Sequence, residues 1–589
     1  MQQTGIASAD HRGDDFRVSG PSRSDSPRRR LVIGGGIGLN PDQIEALRRA
    51  LGSPAKLLVP NPDSNLAAEL VADWAGCSID GVPIVGDESF IELIRRGRLA
   101  AVRGAFVVAW FDDRGALHLA RDAIGEHTLF YGTNGALAVF STSFSALLSA
   151  GVVERRIDVH ALSAYLSYAY VPGGDTLVRG VRELRPGEHV TIRGTEIKSE
   201  RFWSAPPESD TPVDEPSLTR ELRDALERAV RRRLDHAARG GASLSGGLDS
   251  SLVVALVRRL FSGELFTYSI FFGDEHRNEL QYSSLVSSAF GTTHHVIEIR
   301  PESIASELDD TISLLGSPIG DPLTVPNLLL FRAAGLEVDT VFNGEGGDPC
   351  FGGPKNLPML AAELFRSSLY YDGNAQIPTR EQSYLLAHKK CFEDLGELLR
   401  PDMRTELGER PLECDLEPWF SDPRFKHFIS KLMAMNVALK GGHHILPKLY
   451  QLSRAAGIRA LSPLFDRDLV ELSFAIPPQL KLHGSIEKFL LKQSVSDLLP
   501  REILERPKSG MLVPVESWFC GPLLGMARER LLDGLCSSEL FERRFIERLL
   551  ESKRRRVVVS RPGAKIWLLV TLEAWLRRVF AGPLESERA

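Results

Sequence analysis

Short apolar runs, broken by glycine, aspartate and asparagine, follow a polar stretch at the start of the chain. Residues 1–30 are rich in Ser, Arg, Asp and Gly and hold few large apolar side chains, which predicts a disordered tail. Apolar runs at 105–111, 117–120 and 137–140 are separated by turn sequences. Runs of this kind indicate hairpins in a largely antiparallel sheet. We therefore predict a first domain over residues 31–203.

The apolar pattern changes beyond a proline-rich segment. Residues 204–216 contain four prolines, which is typical of a linker, and Ser217 is a candidate N-cap for the helix that follows. Strands are predicted to end near residue 244 and to occupy residues 265–272, 295–299 and 340–342. These strands alternate with helical patterns, which predicts βαβ units and a parallel sheet, and residues 360–589 are mostly helical. We predict a second, α/β domain over residues 217–589.

Composition narrows the class of protein. Apolar residues make up 43% of the chain and charged residues 25%, as in ordinary globular proteins. The formal charge is -6, so no basic excess favours a nucleic-acid partner. We find no apolar run of about 18 residues and no signal-peptide core, so we expect a cytoplasmic protein without membrane partners. The six cysteines contain no C-x-x-C pair, which argues against a zinc site or a disulfide framework.

The sequence Ser-Leu-Ser-Gly-Gly-Leu-Asp-Ser-Ser at 243–251 is predicted to join a strand to a helix. Adjacent glycines allow a tight turn and a close approach to a ligand, and the helix start directs N–H groups at an anion. Asp249 is a candidate magnesium ligand beside phosphate oxygens. We interpret this loop as a pyrophosphate cradle rather than an ordinary turn. The P-loop consensus G-x-x-x-x-G-K-[ST] is absent, which argues against transfer of the terminal phosphoryl group.

A second glycine-rich loop, Asn-Gly-Glu-Gly-Gly-Asp at 343–348, also follows a predicted strand. The carboxyl ends of parallel strands share one edge of the sheet, where ligands bind. Both loops are therefore expected to face one nucleotide. Asp348 is then a second magnesium ligand, and Glu345 is expected in the same cleft.

These two loops resemble those of the asparagine synthetase family, the ATP-pyrophosphatase amide ligases. Further segments fall in the family's order, at 266–270, 291–295, 462–466, 487–488, 506–510 and 572–576. Segments at 104–106, 120–122 and 186–188 are similar to the family's glutaminase domain. The resemblance implies a glutaminase-like domain of the Ntn-hydrolase type. It also implies an ATP-pyrophosphatase domain, of the adenine nucleotide α-hydrolase-like class, with a parallel sheet and a helical C-terminal part.

The resemblance implies a two-step reaction. A substrate carboxylate attacks the α-phosphorus of ATP, pyrophosphate leaves, and an amine attacks the acyl-adenylate. The implied cofactors are ATP and Mg²⁺, and Asp249 and Asp348 are the implied metal ligands. The residues implied to bind ATP are Leu244, Ser245, Gly246, Gly247, Asp249, Ser250, Ser251, Ile270, Asn343 and Gly344.

Two residues acquire catalytic roles through the resemblance. Lys488 matches the family lysine that reaches this site, where a point cation stabilises phosphate or oxyanion charge. Glu345 matches the carboxylate that accepts the proton of the amine. The alternatives are a solvated lysine in an exposed Glu-Lys pair and a structural turn carboxylate.

The chain departs from the family's glutaminase domain at its nucleophile. The family has a cysteine directly after Met1, with its free α-amine as the base, whereas Gln2 stands there and the first cysteine is Cys77. We expect Cys77 to be a small buried residue and not a substitute nucleophile. The first domain is therefore interpreted as a degenerate glutaminase-like domain, and no glutamine hydrolysis is expected.

Departures also occur around the substrate pocket. Arg459 and Leu461 stand where asparagine synthetases have glutamate and arginine, and Pro349 and Cys350 replace an acidic and apolar pair. Family members without the cysteine include β-lactam synthetases and the macrolactam cyclases of lasso peptides. The former usually carry tyrosine at the position of Glu345, which argues against that assignment.

We therefore expect an amide ligase that takes its amine from a source other than glutamine, in peptide macrolactam or other natural-product biosynthesis. An ammonia-using asparagine synthetase and a non-catalytic scaffold are the alternatives. A sulfur-inserting or tRNA-modifying enzyme is disfavoured by the cysteine pattern and the net charge. The expected partner is a small-molecule or peptide carboxylate, with a precursor peptide, its protease and a second copy of the chain as further candidates.

Overall fold

The structure is a computed structural model. It describes residues 32–52, 55–59, 70–79, 82–84, 86–209, 214–234, 239–353, 359–361, 363, 378–506, 512–535, 539–555 and 560–580. The predicted tail at 1–30 lies outside these residues. Within them, none of the helices is both long and apolar enough to cross a membrane.

Two sheets stack in the N-terminal part of the chain. One has the strand order β2-β1-β8-β7-β9 and the other β11-β10-β6-β5-β3-β4. The strands are β1 (Val32–Ile37), β2 (Ala55–Leu58), β3 (Leu70–Ile79), β4 (Val82–Pro83), β5 (Arg103–Phe111), β6 (Leu117–Arg121), β7 (Phe130–Asn134), β8 (Leu137–Ser141), β9 (Val181–Glu183), β10 (Glu188–Arg193) and β11 (Glu196–Arg201). All pairs are antiparallel except β1 with β2, so the predicted antiparallel character is confirmed.

The apolar faces of the two sheets meet in a core that contains Ile33, Val107, Leu119, Phe140 and Val190. The sequence gives these strands their hairpins because a turn with Asp or Gly follows each apolar run. The helices of this part are α1 (Pro41–Leu51), α2 (Gly86–Arg95), α3 (Phe144–Ser149) and α4 (Val159–Tyr168), with a 3₁₀ turn at Leu99–Ala101.

A five-stranded sheet forms the centre of the C-terminal part, in the order β14-β13-β12-β15-β16. Its strands are β12 (Gly240–Ser243), β13 (Leu265–Phe271), β14 (Thr293–Glu298), β15 (Thr340–Phe342) and β16 (Arg459–Leu461), and every pair is parallel. The intervening helices are α5 (Glu215–Leu234), α6 (Leu248–Leu260), α7 (Leu280–Phe290), α8 (Pro301–Ser313) and α9 (Thr324–Ala334). The predicted α/β class with a parallel sheet is therefore confirmed.

The remainder is mostly helical, as predicted. Its α-helices are α10 (Gly347–Phe351), α11 (Arg380–Ala387), α12 (Leu395–Leu398), α13 (Pro401–Glu409), α14 (Glu417–Phe420), α15 (Phe428–Met435), α16 (Leu446–Ala455), α17 (Arg467–Ala475), α18 (Pro478–Lys481), α19 (Phe489–Ser494), α20 (Arg501–Glu505), α21 (Val515–Phe519), α22 (Leu524–Glu529), α23 (Arg543–Arg555) and α24 (Pro562–Phe580). Short 3₁₀ turns lie at Phe392–Asp394, Leu412–Asp415 and Pro463–Phe465, and a hairpin joins β17 (Leu482–His483) to β18 (Ile486–Glu487). π-Helices occupy Asn436–Ile445 and Arg530–Gly534.

The predicted linker at 204–216 is described except for residues 210–213. The prediction that Ser217 caps the next helix is wrong, because α5 already begins at Glu215. Asp214 takes the capping role instead, since its carboxylate accepts a hydrogen bond from the Ser217 amide at 3.0 Å. An aspartate three residues before an amide satisfies a helix N–H as well as serine does.

Buried ion pairs join the two parts of the chain. Arg121 on β6 is fully buried, pairs with Glu183 at 2.9 Å and donates to the Gly442 carbonyl of the first π-helix at 2.8 Å. Arg233 at the end of α5 pairs with Glu126 at 3.0 Å and with Asp466 at 2.7 Å. Burial alone would lower the pKa of Arg233, but these two carboxylates raise it.

Candidate active site

The loop between β12 and α6 forms the first wall of the site. Gly246 has φ of +73°, and a Cβ there would lie 2.6 Å from the amide nitrogen of Ser283, so only glycine fits. The Ser245 amide donates to Ser250 Oγ at 3.2 Å, and the Gly247 amide donates to Ser245 Oγ at 3.3 Å. Gly247 is the N-cap of α6 and has no side chain to cover the first turn. The loop can therefore present amides to an anion.

The loop between β15 and α10 packs directly against the first. A Cβ on Gly344 would lie 2.5 Å from the Ser250 amide nitrogen, and one on Gly347 would lie 2.2 Å from Asp249 Oδ1. These glycines are required because the two loops touch through their backbones. Asn343 anchors the second loop, since its amide and side-chain nitrogens both donate to the Leu461 carbonyl, at 2.9 and 3.0 Å.

Lys488 joins the two loops through their carboxylates. Its Nζ lies 2.6 Å from Asp249 Oδ2 and 2.6 Å from Asp348 Oδ1, and its side chain is 2% exposed. Burial alone would lower the pKa of Lys488, but the two carboxylates raise it well above its ordinary value. The alternative of a solvated lysine is wrong, because this side chain is buried and doubly paired.

The carboxylates of Asp249 and Asp348 fit a magnesium site. Both reach one point in space, since both contact Lys488 Nζ. Magnesium prefers oxygen ligands and is commonly held by one or two carboxylates together with substrate phosphates. Across the residues that the structure describes, no group of three or more His, Cys, Asp or Glu side chains is placed to hold a metal. The remaining ligands would therefore have to come from the phosphates of ATP or from water.

The other predicted site residues occupy different depths. Glu345 is exposed at the tip of the second loop, where its amide donates to Asn343 Oδ1 at 3.1 Å. Ser251 is fully buried in α6, and its Oγ has no hydrogen-bond partner within the described part of the chain. Ser250 Oγ donates to the Gly247 carbonyl at 3.2 Å, so this hydroxyl stabilises the loop itself.

A small cavity adjoins the first loop and could take the base of a nucleotide. Ser245, Ile270, Phe272, Glu279 and Leu512 are among the residues that line it. The side chain of Leu244 is 1% exposed and is not part of this lining, so Leu244 contributes to the core. Ile270 and Ser245 place the apolar cavity beside the anion-binding amides, which is the arrangement that an adenosine phosphate needs.

Arg506 is a site residue that the sequence reasoning did not assign. It donates to the Gly246 carbonyl at 2.8 Å, pairs with Glu279, and lies over the Tyr282 ring at 3.8 Å from its centroid. The guanidinium therefore fixes the loop from behind. The only sequence signal was its position within the segment at 506–510, whose residues 507–510 lie outside the described residues.

The departures from the family pattern also have positions in the structure. Cys77 is buried, and its Sγ donates to the Ala105 carbonyl at 3.5 Å, which confirms that it is a small buried residue. Cys350 is buried in α10, and burial raises the pKa of its thiol to about 12. Arg459 contacts Thr340 Oγ1 at 3.5 Å at the start of β15, so it lies away from the loops that follow the strand ends.

Comparison with known proteins agrees with this arrangement. A family model described as asparagine synthase matches residues 221–577, and one described as glutamine amidotransferase domain matches residues 92–203. Asparagine synthetase [glutamine-hydrolyzing] 1 of Bacillus subtilis is 24% identical over 499 residues, which cover 80% of this chain and 77% of that protein.

A putative asparagine synthetase [glutamine-hydrolyzing] of Mycobacterium tuberculosis is 27% identical over 468 residues, which cover 73% of this chain and 70% of that protein. Amidase chry2 of Gibberella zeae is 22% identical over 490 residues, and the match covers 72% of each. Because the first family model spans more than half of the chain and includes both glycine-rich loops and Lys488, the chain belongs to the asparagine synthase family.

Proposed function

We propose that this ATP-dependent amide ligase of the asparagine synthase family activates a substrate carboxylate as an acyl-adenylate and then joins it to an amine that is not released from glutamine. The observation that carries the proposal is the buried cluster of Asp249, Lys488 and Asp348 beside the amides of residues 245–247. A site built to hold phosphates, with no P-loop lysine, suits the departure of pyrophosphate.

In the first step, a carboxylate oxygen of the substrate attacks the α-phosphorus of ATP. The bond from the α-phosphorus to the bridging oxygen breaks, and pyrophosphate leaves with the electron pair. Lys488 is placed to stabilise the charge that develops on the phosphate oxygens, because its ammonium is buried and fixed by two carboxylates. Mg²⁺ held by Asp249 and Asp348 would neutralise phosphate charge when bound.

In the second step, an amine attacks the carbonyl carbon of the acyl-adenylate. The C–N bond forms, the C–O bond to phosphate breaks, and AMP leaves. The amine must lose a proton, and the exposed carboxylate of Glu345 is the candidate acceptor, at the tip of the loop that also carries Asp348. An exposed position is compatible with this role because the amine must enter from solvent or from a peptide substrate.

The source of the amine is argued from the N-terminal sheets. Strand β1 consists of Val-Ile-Gly-Gly-Gly-Ile and carries no Cys, Ser or Thr that could attack the amide of glutamine. Cys77 is buried on β3 and does not replace that nucleophile. We therefore propose a free or intramolecular amine, with a peptide or other natural-product carboxylate as substrate. Asparagine formation from ammonia is the second candidate, because the bacterial relatives are named asparagine synthetases.

Exchange of labelled pyrophosphate into ATP, measured with a panel of carboxylates, tests the first step alone. We expect Asp249→Asn and Asp348→Asn each to lower this exchange by about two to three orders of magnitude. Glu345→Gln is expected to leave exchange intact and to slow amide formation by on the order of 10²–10⁴-fold. Asp113→Asn, in an exposed turn, is the matched control and should change neither rate.

Stoichiometric ADP would contradict adenylation, since the proposal requires AMP and pyrophosphate. Exchange that survives in both aspartate variants would show that these carboxylates do not hold the phosphates. Loss of exchange in Glu345→Gln, with the fold intact by circular dichroism, would place that residue in the first step instead.

A further inference from the structure

A cavity of about 630 Å³ lies between the N-terminal sheets and the C-terminal helices, apart from the glycine-rich loops. Its walls come from α1, α3, α16 and α24 and from the segment after α8. None of the residues of the two glycine-rich loops belongs to its lining. The volume is that of an ordinary small-molecule site, which lies in the range of roughly 300–1,000 Å³.

Four arginines from different elements line this cavity: Arg49, Arg155, Arg454 and Arg578. They stand with hydroxyl groups of Thr142, Ser143, Ser145, Ser149 and Ser313. No aspartate or glutamate is among the described residues that line it. Glu45 contacts Arg49 at 3.8 Å but pairs more closely with Arg48, at 2.9 Å. The cavity therefore carries a strong excess of positive charge.

Two of the guanidinium groups are held in place by neighbours. Arg454 donates to the Tyr450 hydroxyl at 2.8 Å and lies 5.0 Å from the centroid of that ring. Arg155 donates to the Val579 carbonyl of α24 at 2.8 Å. Fixed guanidinium groups lose less entropy when they bind an anion, and each presents a planar fork that matches phosphate or carboxylate oxygens.

We propose that this cavity binds a small multivalent anion that carries phosphate or carboxylate groups. The convergence of four guanidinium groups without an interspersed carboxylate is the chemistry that recognises such an anion. Apolar side chains of Phe144, Leu148 and Trp575 form part of the lining, so the ligand meets an apolar surface as well. Because both parts of the chain contribute residues, the ligand bridges them.

Isothermal titration of the full-length protein with inorganic tripolyphosphate and, separately, with citrate tests this site and distinguishes the phosphate from the carboxylate class. The variant Arg49→Gln/Arg578→Gln removes two arginines and is expected to weaken binding of the preferred probe at least tenfold. Arg48→Gln is the matched control, since Arg48 lies on α1, is exposed and does not line the cavity. It should bind both probes as the unaltered protein does.

Tripolyphosphate can also bind at the glycine-rich loops, but that binding survives in the double variant and is thereby separated from the cavity. The lysine variant Arg49→Lys/Arg578→Lys keeps the charges and loses the forks, so it should bind between the two extremes. Failure of both probes to bind below about 1 mM, where charge-assisted contacts should give measurable affinity, would overturn the proposal. Equal affinity in the double variant and in Arg48→Gln would overturn it too.

Discussion

Replacement of Lys488 by methionine tests whether the two carboxylates depend on this lysine. Asp249 and Asp348 are 15% and 22% exposed in their side chains, and both contact Nζ at 2.6 Å. Removal of one partner from a buried ion pair costs about 3–5 kcal/mol because the remaining charges stay desolvated. The partial exposure of both aspartates screens them, so we expect the lower end, about 3 kcal/mol.

That cost converts into a measurable shift of the melting temperature. Unfolding entropy is roughly 2 cal/mol/K per residue, so 3 kcal/mol lowers the melting temperature of a chain of 589 residues by about 2–3 °C. Differential scanning fluorimetry without divalent cations measures this shift. Lys492→Met, on α19 and only half-buried, is the matched control and should change the melting temperature by less than about 1 °C.

Magnesium should stabilise the Lys488→Met variant more than the unaltered protein. In the unaltered protein the ammonium already neutralises both carboxylates, whereas in the variant a divalent cation meets no competitor. Two unpaired carboxylates also repel, which raises the pKa of one above its unfolded value. Protonation on going from pH 7 to pH 5 then relieves the repulsion, so the deficit in melting temperature should shrink in acid. An unchanged melting temperature without metal, or an equal response to Mg²⁺ in both proteins, would refute this reasoning.

Three further outcomes follow from the geometry of the site. Gly344→Ala places a Cβ 2.5 Å from the Ser250 amide and should lower pyrophosphate exchange more than tenfold, whereas Gly408→Ala, with open space around it, should not; equal exchange in the two would contradict the contact between the loops. Arg506→Met should raise the KM for ATP several-fold, while Arg501→Met on the exposed face of α20 should leave KM unchanged. Glutamine should not serve as nitrogen donor, so release of glutamate that keeps pace with product in an amino-acid assay would refute the proposed amine source.

Local sequence patterns predicted the sheets and both glycine-rich loops for a physical reason. The strand at 340–342 and the hairpins of the N-terminal part are encoded by neighbouring residues, through apolar runs and turn-forming side chains. The start of α5 was placed two residues late because aspartate and serine cap helices about equally well. The boundaries of helices are the least constrained part of such a pattern.

Contacts between distant parts of the chain could not be read in this way. Lys488 meets Asp249 across 239 residues, and Arg506 meets Gly246 across 260. Nothing in the sequence around Lys488 states that the backbone returns to the first loop, so only the resemblance to a family pointed to the site. The burial of Lys488 also depends on its φ of +54°, a conformation that a non-glycine residue rarely adopts.

The hydrophobic core that runs through both parts of the chain limits how this protein can change over evolution. A single cluster includes Leu162 and Tyr165 of α4 together with Leu568 and Trp575 of α24, and Tyr165 donates to the Leu568 carbonyl at 2.9 Å. A truncated chain that lacked the N-terminal part would expose this apolar surface of α24 to water and tend to aggregate. Selection can therefore remove the chemistry of the N-terminal part residue by residue, while the gene must retain that part as the covering of the synthetase core.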